Sequence, residues 1–280
     1  MSARPVVIAQ ITDLHIKPPG SLAYGRVDTA AALSRCIMAL NRLAPRPDLV
    51  VISGDLTDIP DAVSYDHVRA LLSSLLLPFI AVPGNHDHRA LLRAALPHQD
   101  EARATGPVNV MRAVHGLDVI ALDSSVPGKP HGELDATTLR WLDATLGAST
   151  TRPAILFLHH PPFITGIGHM DVQNLRNAAD LAILLRRHKR ARLVAAGHVH
   201  RATVTTFADI AATICPAPNH AVALDLEARL PPSYKVEPPA YHLHVWFPGD
   251  GFGSVVTHLV PIGEFDGPHP FFDTGGRLLR

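Results

Sequence analysis

The chain has 280 residues, of which 47% are hydrophobic and 18% charged, and its 25 basic and 25 acidic residues give a formal net charge of zero. This length suits one large α/β domain, or a domain with a modest appendage, with a substantial core. The balanced charge excludes a general attraction to a nucleic acid polymer or to an anionic membrane surface. Two cysteines, Cys36 and Cys215, do not make a disulfide framework. With no signal-peptide pattern and no apolar run of about 18 residues, a cytoplasmic protein is expected.

Helical and extended patterns alternate along the first 200 residues. Asp28 is placed to cap a helix that runs to about residue 43, and Asp135 to cap another over about 137–146. Further helices are predicted over about 62–76, 88–96 and 174–187, and strands over 49–53, 79–82, 108–112, 117–122, 154–158 and 192–196. This alternation predicts right-handed crossovers and sheets buried between helices.

From residue 203 onward, strand patterns replace the alternation of helical and extended patterns. The ranges 203–207 and 210–214 are predicted to form paired strands, and 241–247 and 254–262 two more. A Pro-rich stretch, 216–239, separates the two pairs. The later strands are expected to finish a second sheet, with an insertion that serves either as a cap or dimerisation element or as an irregular sheet edge.

Five apolar runs end in Asp, Asn or His. The first leads into Asp13-Leu14-His15, where residues i and i+2 of an extended chain point to the same side. The other four lead into Gly54-Asp55-Leu56-Thr57-Asp58, Gly84-Asn85-His86-Asp87, His159-His160 and Gly197-His198-Val199-His200.

Parallel strands deliver their C-terminal loops to one rim of an open α/β sheet, so these side chains are predicted to meet there. Oxygen and imidazole donors suit Mn²⁺, Fe and Zn²⁺, and no thiolate accompanies them. The pattern therefore indicates a two-metal hydrolase. A carboxylate can bridge two ions, and Asp55 is the candidate.

The ordered blocks D-x-H, G-D-x-x-D, G-N-H-D, H-H and G-H-x-H resemble the calcineurin-like metallophosphoesterase superfamily over about residues 6–205. The resemblance implies an α/β fold, a four-layer α/β/β/α sandwich of two mixed sheets flanked by helices, with a small C-terminal β insertion. It also implies two divalent or mixed-valence metal ions, drawn from Mn²⁺, Fe²⁺/Fe³⁺, Zn²⁺ and Co²⁺.

The same resemblance implies a role for each matching residue. The first metal would be held by Asp13, His15, Asp55 and His200, and the second by Asp55, Asn85, His159 and His198. His86 would lie outside the ligand set, where it stabilises the phosphoryl oxygens, protonates the leaving alkoxide or only orients its neighbours. Asp58 and Asp87 are expected to orient ligands or cap turns.

A narrower resemblance follows from Tyr24-Gly25-Arg26-Val27-Asp28, Leu122-Asp123-Ser124-Ser125, His159-His160-Pro161-Pro162 and Met170-Asp171. These segments are similar to a branch that contains bacterial class III cyclic-nucleotide phosphodiesterases and glycerophosphodiesterases. The branch implies hydrolysis of small phosphodiesters, either 3′,5′-cyclic nucleotides such as cAMP or glycerophosphodiesters, by a metal-bridging hydroxide. It also implies a homodimer or larger homo-oligomer. The catalytic domain would span 1–205 plus about 256–280, and about 206–255 would form a β-rich cap or dimerisation insertion.

Alternative functions stay open at this point. A phosphomonoesterase or protein phosphatase of the same fold is one, although such enzymes usually add cationic side chains and no Arg lies within the five motifs. A non-catalytic scaffold is another, although no ligand position is missing. A nuclease is a weaker alternative because the balanced charge offers no extended basic surface.

His242 and His244 repeat the i, i+2 spacing but have no acidic neighbour, so a strand surface is expected there rather than a third metal site. His169 and His220 are weak candidates for the substrate pocket.

Overall fold

Two β-sheets pack face to face in the computed structural model of the chain, which describes residues 4–97, 105–229 and 231–279. The first sheet contains β1 (Val6–Ile11), β2 (Leu49–Ser53), β3 (Phe79–Val82), β12 (Ala240–Phe247) and β13 (Ser254–Pro261). Its strand order is β13-β12-β1-β2-β3. The second contains β4 (Val110–Val114), β5 (Leu117–Leu122), β6 (Ala154–Leu158), β7 (Ala191–Ala196), β8 (Thr203–Phe207) and β9 (Ile210–Ile214). Its strand order is β4-β5-β6-β7-β9-β8.

Both sheets are mixed, as predicted. In the first, β1, β2 and β3 are parallel, while β12 runs antiparallel to β1 and β13 antiparallel to β12. In the second, β5, β6, β7 and β9 are parallel, with β4 and β8 antiparallel at the edges. The polar motifs begin at the carboxyl ends of five strands: β1, β2, β3, β6 and β7.

The second sheet is buried on both faces. Val119 and Ala121 of β5 belong to the core shared with the first sheet and its helices. Their alternating neighbours, Ile120 and Leu122, pack in a separate core with helices on the outer side. Strand residues that alternate between two apolar layers are what a four-layer sandwich requires. The predicted fold class is therefore confirmed.

Six helices lie in the described ranges: α1 (Thr29–Arg42), α2 (Ala62–Leu72), α3 (Arg89–Ala95), α4 (Ala136–Gly147), α5 (Gly168–Asp171) and α6 (Ala178–His188). Helices α1, α2 and α3 share the core of the first sheet, and α4 and α6 cover the second. The predicted caps are confirmed, since Asp28 accepts a hydrogen bond from Ala31 N (2.9 Å) and Asp135 from Thr138 N (2.7 Å). None of these helices has the length and apolar character needed to cross a membrane.

Two helix ends differ from the predictions because side chains compete for the backbone. Helix α2 ends at Leu72 rather than residue 76, where the hydroxyls of Ser73 and Ser74 donate to the carbonyls of Ala70 and Leu71. Helix α6 begins at Ala178 rather than residue 174. The amide of Asn174 donates instead to Phe163 O (2.8 Å), which holds the preceding loop.

The C-terminal region contributes to both sheets. Strand β9 lies between β7 and β8 in the second sheet, and β12 lies beside β1 in the first. Outside the two sheets, a short ribbon pairs β10 (Ala221–Val222) with β11 (Tyr234–Lys235). Arg201 anchors the ribbon by donating to Val222 O and Glu237 Oε1, both at 2.9 Å. Within the segment 206–255, β9 and β12 thus belong to the two sheets and the ribbon lies outside them.

Candidate metal centre

The predicted ligands lie at the carboxyl ends of five strands. Asp13 and His15 follow β1, Asp55 follows β2, and Asn85 follows β3. The second sheet contributes His159 directly after β6, and His198 and His200 after β7. Since these strands are parallel within each sheet and the sheets pack face to face, residues more than 180 positions apart in the chain meet at one edge.

A first group of donors surrounds His200. Its Nε2 atom lies 3.2 Å from His15 Nε2 and 3.2 Å from Asp13 Oδ1. Asp55 Oδ2 lies 3.6 Å from His15 Nε2. The donor atoms of Asp13, His15 and His200 all lie within 4.8 Å of one another.

A second group surrounds His159. Its Nε2 atom lies 3.3 Å from Asp55 Oδ2 and 3.1 Å from Asn85 Oδ1. The His198 ring lies 5.1 Å from the His159 ring, centroid to centroid. Asp55 therefore touches both groups, in the position that a bridging carboxylate would need.

The chemistry of this donor set fits two cations. His159 and His200 turn their Nδ1 atoms to the carbonyls of Ser53 (3.0 Å) and His220 (3.2 Å), so each Nε2 faces inward as a lone-pair donor. His198 Nε2 is buried and has no hydrogen-bond partner in the described ranges. A buried polar atom without a partner calls for an explanation, and a metal ion supplies one.

Five of the seven predicted ligands have a left-handed backbone: Asp13 (φ 55°), His15 (φ 47°), Asp55 (φ 50°), His198 (φ 73°) and His200 (φ 58°). Non-glycine residues rarely adopt this conformation, and each instance costs about 1–3 kcal/mol. Gly84 makes room for this arrangement, since a Cβ there would lie 2.1 Å from Asp55 Oδ1. The strain is concentrated where side chains must turn sharply out of the strands.

The acidic and basic groups shift one another's pKa in opposite directions. Burial acts to raise the pKa of Asp55, but His159 and His86 bring it well below its usual value. Burial acts to lower the pKa of His159, but Asp55 raises it to about 9. Burial lowers the pKa of His198 to about 3, with a further contribution from His159. Without a metal the carboxylates are therefore ionised and the His198 imidazole is neutral, while His159 holds a proton that a metal ion would have to displace.

His86 lies on the wall of the site. Its Nδ1 atom lies 2.8 Å from Asp58 O, and its backbone N–H donates to Asp55 Oδ1 (2.9 Å). Asp58 also pairs with Lys17 (2.7 Å) and faces His15 Nδ1 (3.4 Å). Asp87 accepts from Leu56 N and Gly84 N and so ties the loops after β2 and β3 together.

A cavity of about 280 Å³ opens over the centre. His169 and His220 line it, as the weak sequence signals suggested, and so do Tyr24, Gln173 and Tyr234, which sequence reasoning missed. The rings of Tyr24 and Tyr234 stack with centroids 4.6 Å apart. Tyr24 belongs to a motif that was quoted above, whereas Tyr234 lies in the Pro-rich stretch and had no signal. Among the described residues that line the cavity, none is Lys or Arg.

The expectation of a strand surface at His242 and His244 is wrong. The two side chains are only 3% and 0% exposed and lie between the sheets. His244 Nε2 lies 3.0 Å from Gln10 Oε1, and its ring contacts Phe157 of the second sheet. These histidines face inward because they lie on the side of β12 that packs against the second sheet, where His244 contacts Phe157 of β6.

The family model that matches the sequence is described as calcineurin-like phosphoesterase and covers residues 6–202. The chain belongs to the calcineurin-like phosphoesterase family. Membership implies divalent metal ions, and six of the seven predicted ligands lie in clusters of side chains that could hold a metal ion.

Several relatives of this calcineurin-like phosphoesterase are phosphodiesterases by name. A probable glycerophosphodiester phosphodiesterase GpdQ of Arcobacter nitrofigilis is 37% identical over 98% of this chain and 100% of its own. A cAMP/cGMP dual specificity phosphodiesterase of Mycobacterium tuberculosis is 36% identical over 75% of this chain and 67% of its own. A dimetal phosphatase from Danio rerio is similar in structure, with a TM-score of 0.60, 14% identity, and coverage of 94% of this chain and 100% of its own. At that identity the likeness shows the fold alone.

Proposed function

We propose that the chain is a metal-dependent phosphodiesterase that hydrolyses small phosphodiesters, either 3′,5′-cyclic nucleotides such as cAMP or glycerophosphodiesters. The observation that carries the proposal is that Asp55 Oδ2 lies 3.6 Å from His15 Nε2 in one donor group and 3.3 Å from His159 Nε2 in the other, beside a cavity that Asp55 also lines. Two of the relatives support the substrate class, since one is named as a probable glycerophosphodiester phosphodiesterase and the other as a cAMP/cGMP phosphodiesterase.

Seven residues would hold the metals. Asp13, His15, Asp55 and His200 would hold one cation, and Asp55, Asn85, His159 and His198 the other. When bound, the two cations supply Lewis acidity to the phosphoryl oxygens and activate a water molecule as the nucleophile. Mn²⁺, Fe²⁺/Fe³⁺, Zn²⁺ and Co²⁺ all accept this mixture of oxygen and imidazole donors.

His86 would assist the leaving group. Its Nδ1 atom is held by the Asp58 carbonyl at 2.8 Å, which leaves Nε2 as the ring atom available to substrate, and its side chain lines the cavity. A donor on this wall can hydrogen-bond a phosphoryl oxygen or pass a proton to the departing alkoxide.

The lining of the cavity favours a diester over a monoester. A diester carries one negative charge at the phosphorus and a monoester up to two, so monoester sites need more cationic groups. The described lining residues include neither Lys nor Arg, and the positive charge would come from the metals.

The assembly and the cap are further parts of the proposal. Val222, Ser233 and Tyr234 of the ribbon region line the cavity, which supports a cap role for part of the segment 206–255. We propose that this segment also mediates a homodimer or larger homo-oligomer, and that the protein works in the cytoplasm. Light scattering coupled to size-exclusion chromatography would test the oligomeric state.

The test of the activity begins with chelated protein, reloaded separately with Mn²⁺, Fe²⁺, Zn²⁺ or Co²⁺. Bis(p-nitrophenyl) phosphate should be hydrolysed faster than p-nitrophenyl phosphate, and only after reloading. A panel of cAMP, cGMP, glycerophosphoethanolamine and glycerophosphocholine would then identify the substrate. Activity that survives chelation, or metal-loaded protein inert to both p-nitrophenyl esters, would contradict the proposal.

A further inference from the structure

A row of polar side chains lies in the apolar layer between the two sheets, directly beneath the metal centre. Its central member is Gln10 of β1, flanked by Ser53 of β2 and His244 of β12, and all three are fully buried. Burying an amide and an imidazole is unfavourable unless each polar atom has a partner. An apolar side chain such as those of Ile8 and Phe157 nearby would fill this layer without that requirement.

The row is hydrogen-bonded from end to end. Gln10 Nε2 donates to Ser53 Oγ (2.8 Å) and to Ala196 O (3.0 Å). Gln10 Oε1 lies 3.0 Å from His244 Nε2, and His244 Nδ1 lies 2.8 Å from Thr257 Oγ1. Because Gln10 Nε2 faces a carbonyl, Oε1 is the acceptor, His244 Nε2 donates, and the Thr257 hydroxyl donates to His244 Nδ1. The row thus crosses β13, β12, β1 and β2 and reaches β7 of the opposite sheet.

Both bonds from the Gln10 amide end next to metal-ligand loops. Ser53 lies two residues before Asp55, and its carbonyl accepts from His159 Nδ1 at 3.0 Å. Ala196 lies two residues before His198. One side-chain amide therefore connects the first-sheet loop that carries Asp55 with the second-sheet loop that carries His198.

Such a connection answers a geometric problem of this fold. The two sheets contribute different ligands to the second metal, yet the apolar contacts that hold the sheets together are non-directional. Metal ligation tolerates deviations of only about 0.2 Å in distance. A directional hydrogen bond across the layer fixes the separation of the two ligand loops better than packing alone can.

We propose that Gln10 is a positioning residue that holds the two halves of the metal centre in register. The inference rests on the proposed metal centre. It predicts that Gln10 controls the affinity of the site made by Asp55, Asn85, His159 and His198, whose loops it connects, more than it controls folding as such.

The test is Mn²⁺ binding to chelated protein, followed by calorimetric titration and by the EPR signal of a spin-coupled Mn²⁺ pair. Gln10→Leu should weaken one of the two Mn²⁺ sites by about 10–100-fold, as removal of other ligand-supporting groups does. The coupled signal should disappear at Mn²⁺ concentrations that saturate the wild type and return when excess Mn²⁺ is added. Ser53→Ala removes only one of the two bonds to Gln10 Nε2 and should weaken the same site by a smaller factor, about threefold.

A matched control is Asn177→Leu. The Asn177 amide donates to Leu134 O (2.8 Å) and accepts from Leu134 N (3.0 Å), so its loss removes an amide with two backbone partners that lies outside the row. Its Mn²⁺ affinities should stay within twofold of the wild type, even if its melting temperature falls as far as that of Gln10→Leu. Ser53→Ala keeps the test decisive if Gln10→Leu does not fold.

The possible outcomes separate the two proposals. A wild-type protein that binds no pair of Mn²⁺, Fe²⁺, Zn²⁺ or Co²⁺ ions would overturn the proposed function itself. A wild type that binds two ions, beside Gln10→Leu and Ser53→Ala variants that bind them equally well, would overturn only the role of Gln10. Equal weakening in Asn177→Leu would also overturn it, since general destabilisation would then explain the loss.

Discussion

Asp13-Leu14-His15 and His242-Leu243-His244 have the same spacing, and in both the polar side chains are almost fully buried. The first pair contributes to a group of metal-ligating type, with donor atoms within 4.8 Å of one another. In the second pair, His244 hydrogen-bonds Gln10 and Thr257 inside the core. The difference lies in where each pair stands on its strand.

Asp13 and His15 follow the end of β1, where the chain is free to turn, and both adopt a positive φ. His242 and His244 lie within β12, with regular partners on β1 and β13. The pair that is proposed to ligate metal thus lies where the strand ends and the backbone can leave the sheet. Inside the strand, the same spacing places the two histidines on a face of the core.

Of the substitutions that test this comparison, removal of a proposed metal ligand should have the largest effect. Asp55→Ala should abolish paired metal binding and lower turnover by about 10³-fold or more, because it removes the carboxylate common to both donor groups and the activation of water that depends on them. Metal content after gel filtration and the rate on bis(p-nitrophenyl) phosphate measure this. Asp66→Ala is the matched control, since Asp66 is exposed and, among the residues that the structure describes, forms its ion pair with Arg69 alone. Two metals and a normal rate in Asp55→Ala would refute the bridging assignment.

His86→Ala separates a group that acts on substrate from the groups that hold metal. The variant should keep both metals but lose about 10²-fold in turnover, the usual contribution of a positioned acid or base. Elemental analysis and steady-state rates on the same sample measure both quantities. His88→Ala, a change at an exposed histidine two positions along, should alter neither. If His86→Ala is as active as the wild type at every pH, this residue is a spectator.

His244→Leu changes the second pair, whose histidines are enclosed in the core. It leaves Gln10 Oε1 and Thr257 Oγ1 without their partner, so the free energy of unfolding should fall by about 1–3 kcal/mol. The Gln10 bonds to Ser53 and Ala196 remain, so Mn²⁺ affinity should change less than about threefold. Urea denaturation of chelated protein gives the first quantity and calorimetric titration the second. Loss of metal with unchanged stability would reverse the roles assigned to the two histidine-containing pairs.

The smallest expected effect concerns pH and His242. Burial lowers the pKa of His242 to about 4, below the value of about 6.5 expected in the unfolded chain. Between these two values the unfolded chain binds a proton that the folded protein does not, so stability decreases as the pH falls from about 6.5 to about 4. The decrease from this one group reaches at most about 1.4 kcal/mol per pH unit.

His242→Gln should therefore lose less stability than the wild type between pH 7.5 and pH 5. Urea midpoints measured in the presence of chelator provide the comparison, because no metal then contributes. An identical pH dependence in the two proteins would show that His242 is already accessible to protons in the folded state.

Much of the fold could be predicted from local pattern. The caps at Asp28 and Asp135 were found because an Asp before a helical period has a known role. The helix ends that differ from the predictions, such as the end of α2 at Leu72, depend on side-chain hydrogen bonds that hydrophobic periodicity does not reveal. The allocation of β12 to the first sheet was also beyond local pattern, since it depends on which edge is free after the earlier strands have paired.

The site divides in the same way. Its seven donors were identified because each stands in a motif at the end of an apolar run, and the structure brings all of them together, while their role as ligands remains a prediction. Tyr234 was missed because its neighbourhood is defined only when the ribbon folds over Tyr24. Gln10 was not identified because a single polar residue in an apolar run indicates no function by itself. Its role depends on the opposite sheet, where its amide bonds to Ala196 O.

The amino-acid sequence alone determined which chemical groups are available and in what order they occur, because metal-ligand type and strand periodicity are local properties. Only the tertiary structure decided which of these groups share a cavity and which are enclosed in the core. The left-handed turns that aim Asp55 and His198 at one point, and the amide that links their loops, exist only when two sheets lie against each other. Contacts between residues so far apart in the chain are set by packing, which no short stretch of sequence encodes.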